Sequence, residues 1–381
     1  MKIKRISDYN EFTKYKDSWD ELVSKSKVNN IFLTYDWMDG VRVIRHFYKD
    51  DSLLVLNVFD DERLVGIAPL VIRRCRYFGL PVRVVSFIGT IYSDRMDFIV
   101  DGDGKKALGL ILDYLMTMKE EWDFIDLQEI LDGTGTSEAI EAWLKDRRYM
   151  NILGPSSKIF FMDLNGKDRD VKQKKFSNKL DEKFRKARNR EPGLELGFER
   201  HYRDKTTKTE GIFSDICRVE GNSWLGKKCR GIFSRQETRD FHKEMFNVFT
   251  EKGWVDLPIL KLDGKAIAYT YNYFYGQMMY YYNASFDSRY SHLSPGTMLM
   301  LWILKDSIER GVPKLDFLRE EERWKRNLTK SFKTHNRIRI FRDTLYSRCL
   351  YYLQSRVMPF FKKSRFLYRA WMKIKETLGW K

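Results

Sequence analysis

From Asp287 to Gly311 the chain reads DSRYSHLSPGTMLMLWILKDSIERG, a turn of small and basic residues running straight into an apolar helical stretch that closes on glycine. The turn presents Arg289, His292, Ser294, Gly296 and Thr297. The first N–H groups of a helix lack intrahelical partners and sit at its positive end, so small residues there let an anion approach the backbone. Pro295 fits the first turn, where a missing N–H does no harm. With the strand-like MMYYYNASF before it and PKLDFL after it, the order strand, basic turn, glycine, helix, strand suits a phosphate or pyrophosphate group. A plain capping turn uses the same residues, and spacing alone leaves both readings open.

A second cluster follows at once. Asp316 ends the predicted strand, and Glu320, Glu321 and Glu322 stand together behind it. Mutual repulsion would lift at least one of these carboxyls toward useful base behaviour if they were buried; on an exposed face they are only solvated. No Ser-His-Asp or Cys-His arrangement is evident. The four cysteines (Cys75, Cys217, Cys229, Cys349) form no CxxC pair, and the five histidines show no zinc spacing, so a reducing compartment and no metal are expected.

The elements that must position these residues recur along the chain. At 381 residues, 43% hydrophobic and 15% aromatic, it can build two or three domains with real cores. A hairpin, a helix and a strand appear around Leu53 to Leu127 and again around Leu257 to Leu318, which predicts two copies of one α/β unit. Between them VKQKKFSNKLDEKFRKARNR predicts a basic helix with a narrow apolar stripe of Phe176, Leu180, Phe184 and Ala187. The net charge of +17 predicts attraction to anions without saying which. The N-terminus lacks the apolar core of a signal peptide, and no stretch approaches the roughly 18 apolar residues of a spanning helix. A cytoplasmic protein is expected.

The run GKAIAYTYNYFYGQMMYYYNASFDSRYSHLSPGTMLMLWILKDSIERGVPKLDFLREEERWKRNLT resembles the second half of the GNAT-type acyltransferases of the CelD/BcsL-like (BioF2-like) group, relatives of the Fem-type aminoacyltransferases. IFLTYDWMDG, GIAPLVIRR, FIGTIYSDRMDFIV, WDFIDLQEI and EGNSWLGKKCRGIF extend the resemblance in the group's order, from about Trp19 to Asn327. It implies an α/β (α+β) fold of two GNAT-like lobes in tandem, each a mixed, mostly antiparallel sheet flanked by helices, with a helical C-terminal tail. The expected boundaries are 1–165 for the first lobe, 166–195 for a basic connector helix, 196–345 for the donor-binding lobe and 346–381 for the tail.

The resemblance also implies a chemistry. Acetyl-CoA or another acyl-CoA would lie between two diverging parallel strands, its pyrophosphate on the turn Arg289 to Thr297, and an amine would attack the thioester directly. Asp316, Glu220 and Glu322 are the candidate bases. The group's Asp-Phe-Leu-x-Gly-x-Glu-x-Tyr-Lys pattern appears as DFLREEERWK, with Glu320 in place of glycine and Trp324 in place of tyrosine. A tyrosine proton donor is thereby lost, and one of Tyr280, Tyr281 and Tyr282, with Tyr281 the candidate carried forward, is its expected substitute. Lys325, Trp224 and Asp94 are the candidates for holding the acceptor. That acceptor is expected to be a small-molecule or glycan amine, on a sugar or an envelope or exopolysaccharide precursor.

Two other readings stand beside this one. A Fem-like enzyme would take its aminoacyl group from tRNA. A non-catalytic scaffold would bind membrane or nucleic acid through the tail LYSRCLYYLQSRVMPFFKKSRFLYRAWMKIKETLGWK, whose mixture of bulky apolar and basic residues suits peripheral contact with the inner surface of an anionic membrane. No RNP motif or GXXG loop supports nucleic acid.

Overall fold

The structure, a computed structural model, describes residues 1–45, 51–102, 104–193, 195–203, 205 and 209–363. The first half of the chain runs β1 (Lys2–Ile6), α1 (Tyr9–Phe12), α2 (Lys16–Lys25), α3 (Tyr35–Arg45), β2 (Ser52–Asp60), β3 (Arg63–Tyr77), β4 (Leu80–Phe87), β5 (Ile99–Val100), α4 (Lys105–Thr117), β6 (Phe124–Leu131), α5 (Thr136–Lys145) and β7 (Met150–Asp163). The second half runs α6 (Arg169–Arg190), β8 (Leu196–Tyr202), α7 (Thr209–Gly221), α8 (Gln236–Glu251), β9 (Val255–Leu262), β10 (Lys265–Tyr275), β11 (Met278–Phe286), α9 (Pro295–Glu309), β12 (Lys314–Asp316), α10 (Arg323–Leu328), β13 (Phe332–Phe341), α11 (Leu345–Tyr352) and α12 (Met358–Lys363).

These elements form two compact units, Met1–Ser157 with Thr334–Lys381 and Lys158–Lys333. In the first, the strand order is β1-β2-β3-β4-β6-β13, with β5 beside β3. In the second it is β7-β12-β11-β10-β9-β8. Hairpin, strand, helix and parallel strand repeat: β4 and β6 pair in parallel around α4, as β11 and β12 do around α9. The expected α/β fold of two tandem GNAT-like lobes with terminal helices is therefore present.

The boundaries differ from those expected. Residues 334–341 of β13 lie in the first unit, where β13 pairs antiparallel with β6, while β7 pairs antiparallel with β12 in the second. Each sheet thus takes its strand beyond the parallel pair from the other half of the sequence. A parallel strand such as β6 or β12 needs a partner on its outer edge, and local pattern does not say which distant segment supplies it. Helix α6 is not a free connector: Phe176, Leu180 and Ala187 are buried in the second unit's core against α9. Its charges face outward; Lys186 pairs with Glu182 one turn back, and Lys172 pairs with Asp168 just before the helix. The tail expectation is met by α11 and α12 as far as Lys363; residues 364–381 lie outside the described residues.

The second unit's core explains the tyrosine-rich hairpin. Tyr269, Tyr271 and Tyr273 share one face of β10 and pack beneath Phe233, His242, Phe246 and Phe249. On the other face α9 is apolar nearly all round, burying Met298, Leu299, Leu301, Ile303, Leu304 and Ile308. A buried Arg200 ties β8 to β9 and α9: its Nε and one terminal nitrogen meet Asp256 at 2.6 and 3.0 Å, and the other terminal nitrogen meets Asp306.

Candidate functional site

Pairing between β11 and β12 is confined to Met278–Tyr280 against Lys314–Asp316. There β12 ends, while β11 continues to Phe286. Among the described residues, the edge of β11 that faces away from β10 has no ladder partner from Tyr281 onward. A bulge adds to the parting: Tyr271 pairs with Asn283 and Asn272 with Tyr281, so Tyr282 has no opposite residue. Bulges re-aim side chains. Here Tyr281 turns toward Phe317 and Trp324, with ring centroids at 6.1 and 5.6 Å, and Tyr282 turns toward His242 and Tyr273.

The open edge leads directly into the turn at 287–294. Asp287 is buried and caps the turn, accepting from the Arg289 N–H at 3.1 Å and from the Arg289 guanidinium at 2.5 to 3.2 Å. That guanidinium holds the Asp287 carboxyl below its usual range. Arg289 is more than half exposed, so its charge is anchored at the mouth of the turn. His292 meets Glu191 at the end of α6, and Arg190 donates to the His292 carbonyl. Ser294 takes the left-handed conformation (φ 57°) that swings the chain into α9, and its carbonyl accepts from the N–H groups of Thr297 and Met298 at 3.1 Å each. Gly296 lies under Phe286: a Cβ there would stand 3.3 Å from the ring. The five residues expected to hold the donor phosphate lie on this turn and the first turn of α9, at the end of the open strand.

Asp316 lies at the fork itself, 1% exposed and in register with Tyr280. One oxygen accepts from the Leu318 N–H at 2.8 Å, so it caps the bend that follows. That bend holds two residues in the left-handed region, Leu318 (φ 57°) and Glu320 (φ 77°). Position 320 is where the resembled pattern carries glycine, and its backbone conformation is one that glycine adopts without strain. Lys325 is buried, its ammonium 2.5 Å from the Arg319 carbonyl and 3.4 Å from Glu322, so it clamps the same bend from within. Glu322 is half-exposed and its charge reaches Tyr281, whose hydroxyl burial already holds far above the ordinary tyrosine range.

Glu220 stands on the opposite face. Its carboxylate accepts from the N–H groups of Phe233 at 2.7 Å and Ile232 at 3.1 Å, with the Tyr269 hydroxyl at 3.4 Å. A Cβ at Gly231 would come within 2.3 Å of it, so this loop needs glycine to close over the carboxylate. Burial raises the Glu220 pKa against those donors. Tyr269 donates on to Asn283 of β11 at 2.7 Å, which links Glu220 to the strand edge. Trp224, a candidate for holding the acceptor, follows the end of α7; it is 61% exposed with the Lys228 ammonium 3.7 Å above its ring. The same loop docks on the turn, because Asn222 accepts from Ser288 N and Oγ at 3.2 and 2.5 Å. Asp94 lies in the first unit, between β4 and β5.

Asp287, Asn283, Tyr269 and Glu191 escaped the sequence reading. Asp287 left a signal, since Asp-Ser-Arg is an Asx-turn pattern. The others depend on strand pairing. Among the described residues no group of acids, histidines and cysteines could hold a metal ion.

Residues 174–326 match the family model described as an acetyltransferase (GNAT) domain. That span contains the fork, the turn and α9. No curated protein matches the chain. Among solved structures it resembles one titled FemX, at 13% identity and a TM-score of 0.59, covering 93% of this chain and 99% of that one. It also resembles the C-terminal DUF2156 domain of a putative lysylphosphatidylglycerol synthetase from Agrobacterium fabrum, at 11% identity and 0.53, covering 89% and 95%. A third is a conserved protein of unknown function from Bacteroides thetaiotaomicron, at 13% and 0.52, covering 90% and 100%. These likenesses show the fold, and the fold extends over both units.

Proposed function

We propose that the second unit transfers an acyl group from acyl-CoA to an amine without an enzyme-bound intermediate. The observation that carries this is the parting of β11 from β12 above a turn that starts α9, inside the span that matches the GNAT domain model. A thioester laid along the open edge of β11 would meet backbone groups from Tyr281 onward, and its phosphates would face Arg289, Ser294, Gly296 and Thr297. Asp316, at the fork, orients the amine and takes its proton. Tyr281 keeps its own proton too firmly to release it, so it serves as a hydrogen-bond donor. The thiolate leaves and is protonated from solvent.

The acceptor in this reading is the amine of a sugar or envelope precursor, and the reaction takes place in the cytoplasm, where acyl-CoA is found. A second reading, transfer of an aminoacyl group from tRNA, is supported equally by the likeness to FemX over nearly the whole chain. Saturable acyl-CoA binding followed by amine-dependent release of free thiol tests the first reading. Binding of aminoacyl-tRNA with no response to acyl-CoA would select the second.

A further inference from the structure

One side of α6 carries a row of cations that acyl transfer from a free coenzyme leaves unused. Lys172, Lys175, Lys179, Lys183, Lys186 and Arg190 follow one another at steps of three or four residues, so they share one side of the helix. That side lies a quarter-turn from the apolar stripe of Phe176, Leu180, Phe184 and Ala187. Lys175, Lys179, Lys186 and Arg190 are exposed, and Lys172 and Lys183 are half-buried. Lys172 and Lys186 have Asp168 and Glu182 as partners, whereas among the described residues Lys175, Lys179 and Lys183 have no ion pair. Like charges one turn apart weaken a helix, so a side that only meets water gains by interleaving acids, as α9 does with Lys305 and Glu309.

The row leads to the donor turn. At one end of α6 Arg169 donates to the Ile308 carbonyl at 2.7 Å, beside the last turn of α9; at the other Arg190 donates to the His292 carbonyl. Helix α6 therefore runs antiparallel along α9, and its cations form a track of about 27 Å that ends where the donor phosphate is expected. A coenzyme's phosphates occupy one turn of such a track, so its length suits a larger anion.

We infer that the track docks an acidic carrier protein, one that bears its acyl group as a thioester on phosphopantetheine. The inference rests on the acyl-transfer reading and widens its donor. The carrier's arm enters the cleft that acyl-CoA enters, its phosphate meets the same turn, and the carrier's carboxylates pair with α6. The amine nitrogen bonds to the acyl carbon, the C–S bond breaks, and the amine's proton goes to Asp316; the thiolate left on the carrier takes a proton from solvent. The composition of the track selects this occupant. Five of its six cations are lysines, point charges suited to scattered carboxylates, whereas a phosphate backbone favours the arginine fork. The aromatic residues of α6, Phe176 and Phe184, pack into the core, which leaves no ring on this side for a base to stack on. The track holds no apolar side chain to enter a bilayer. A second copy of a chain with net charge +17 would be repelled.

The test is a fluorescence anisotropy titration of the full chain with a purified bacterial acyl carrier protein in its apo form, which lacks the thioester arm. Saturable binding that falls steeply with salt is expected. Lys175→Gln with Lys179→Gln and Lys183→Gln should weaken it roughly tenfold, with the urea midpoint not lowered and the affinity for acetyl-CoA unchanged. Removing three exposed charges from the first unit instead, by Arg74→Gln, Arg76→Gln and Lys106→Gln, should leave carrier affinity within about twofold. Failure of the folded full chain to bind the carrier would overturn the inference, as would equal weakening in the two triple variants. Binding of a tRNA that depends on the three lysines, with none of the carrier, would give the track to nucleic acid. Acetyl-CoA titration of the same samples reports on the acyl-transfer reading by itself, so the two fail separately.

Discussion

Asp316 and Tyr281 meet at the fork from different elements, and their environments assign them different work. The Leu318 N–H needs only an oxygen acceptor, which an asparagine amide still supplies, so Asp316→Asn preserves the bend while removing the negative charge. We expect it to lower kcat at least 100-fold, within the range of general acid–base contributions, with donor affinity unchanged. Tyr281→Phe, which removes one hydroxyl from an apolar setting beside Phe317 and Trp324, should cost less than about tenfold. Steady-state kinetics with matched donor-binding measurements separate the two; a larger loss for Tyr281→Phe would reverse the assignment. The acidic cluster shows what the sequence conceals at this scale. Glu320, Glu321 and Glu322 look like one group in the sequence, but a left-handed bend at 320 and the buried Lys325 disperse them.

Helix α9, strand β12 and the hairpin before them were legible as elements because their apolar periods are strong and their ends carry proline, glycine and aspartate. The exchange of β7 and β13 between units was not, since both read as ordinary strands and their partners lie far away in sequence. The Arg200 network was equally hidden: Asp256 looks like a polar residue in a strand until pairing with β8 brings it onto the guanidinium. Both side chains are almost fully buried, so removing Asp256 strips the guanidinium of its two-point partner and leaves it Asp306 alone. Asp256→Ala should destabilise the second unit by up to about 3–5 kcal/mol in urea unfolding, whereas breaking an exposed pair such as Lys25–Glu21 should leave the midpoint unchanged. A small effect at Asp256 would mean that Asp306 alone satisfies the arginine.

Across the whole molecule the two units answer acid in opposite directions. In the first, burial lifts the Asp97 carboxyl from 3.8 to about 7, against hydrogen bonds from Thr136, Thr134 and the Phe98 N–H. Between those values the native state keeps a proton that the unfolded chain has released, so stability falls as pH rises through the window, by up to about 1.4 kcal/mol per unit. In the second, burial lowers His242 from 6.5 to about 3. There the unfolded chain takes a proton that the native state refuses, so stability falls as pH drops below 6.5. Urea unfolding from pH 4 to 7 should show the first slope removed by Asp97→Asn and the second by His242→Phe; an unchanged profile in either variant would contradict the assignment. The central claim concerns the start of α9, and calorimetric titration of the full chain with acetyl-CoA and longer acyl-CoAs tests it most directly, alongside Gly296→Glu. That substitution adds a negative charge where the donor phosphates should lie and crowds Phe286 at a surface able to yield. The account predicts saturable binding by the natural chain, weakened at least tenfold in a variant with the same unfolding midpoint. Absence of binding by the folded natural chain, or equal affinity in the variant, would contradict it.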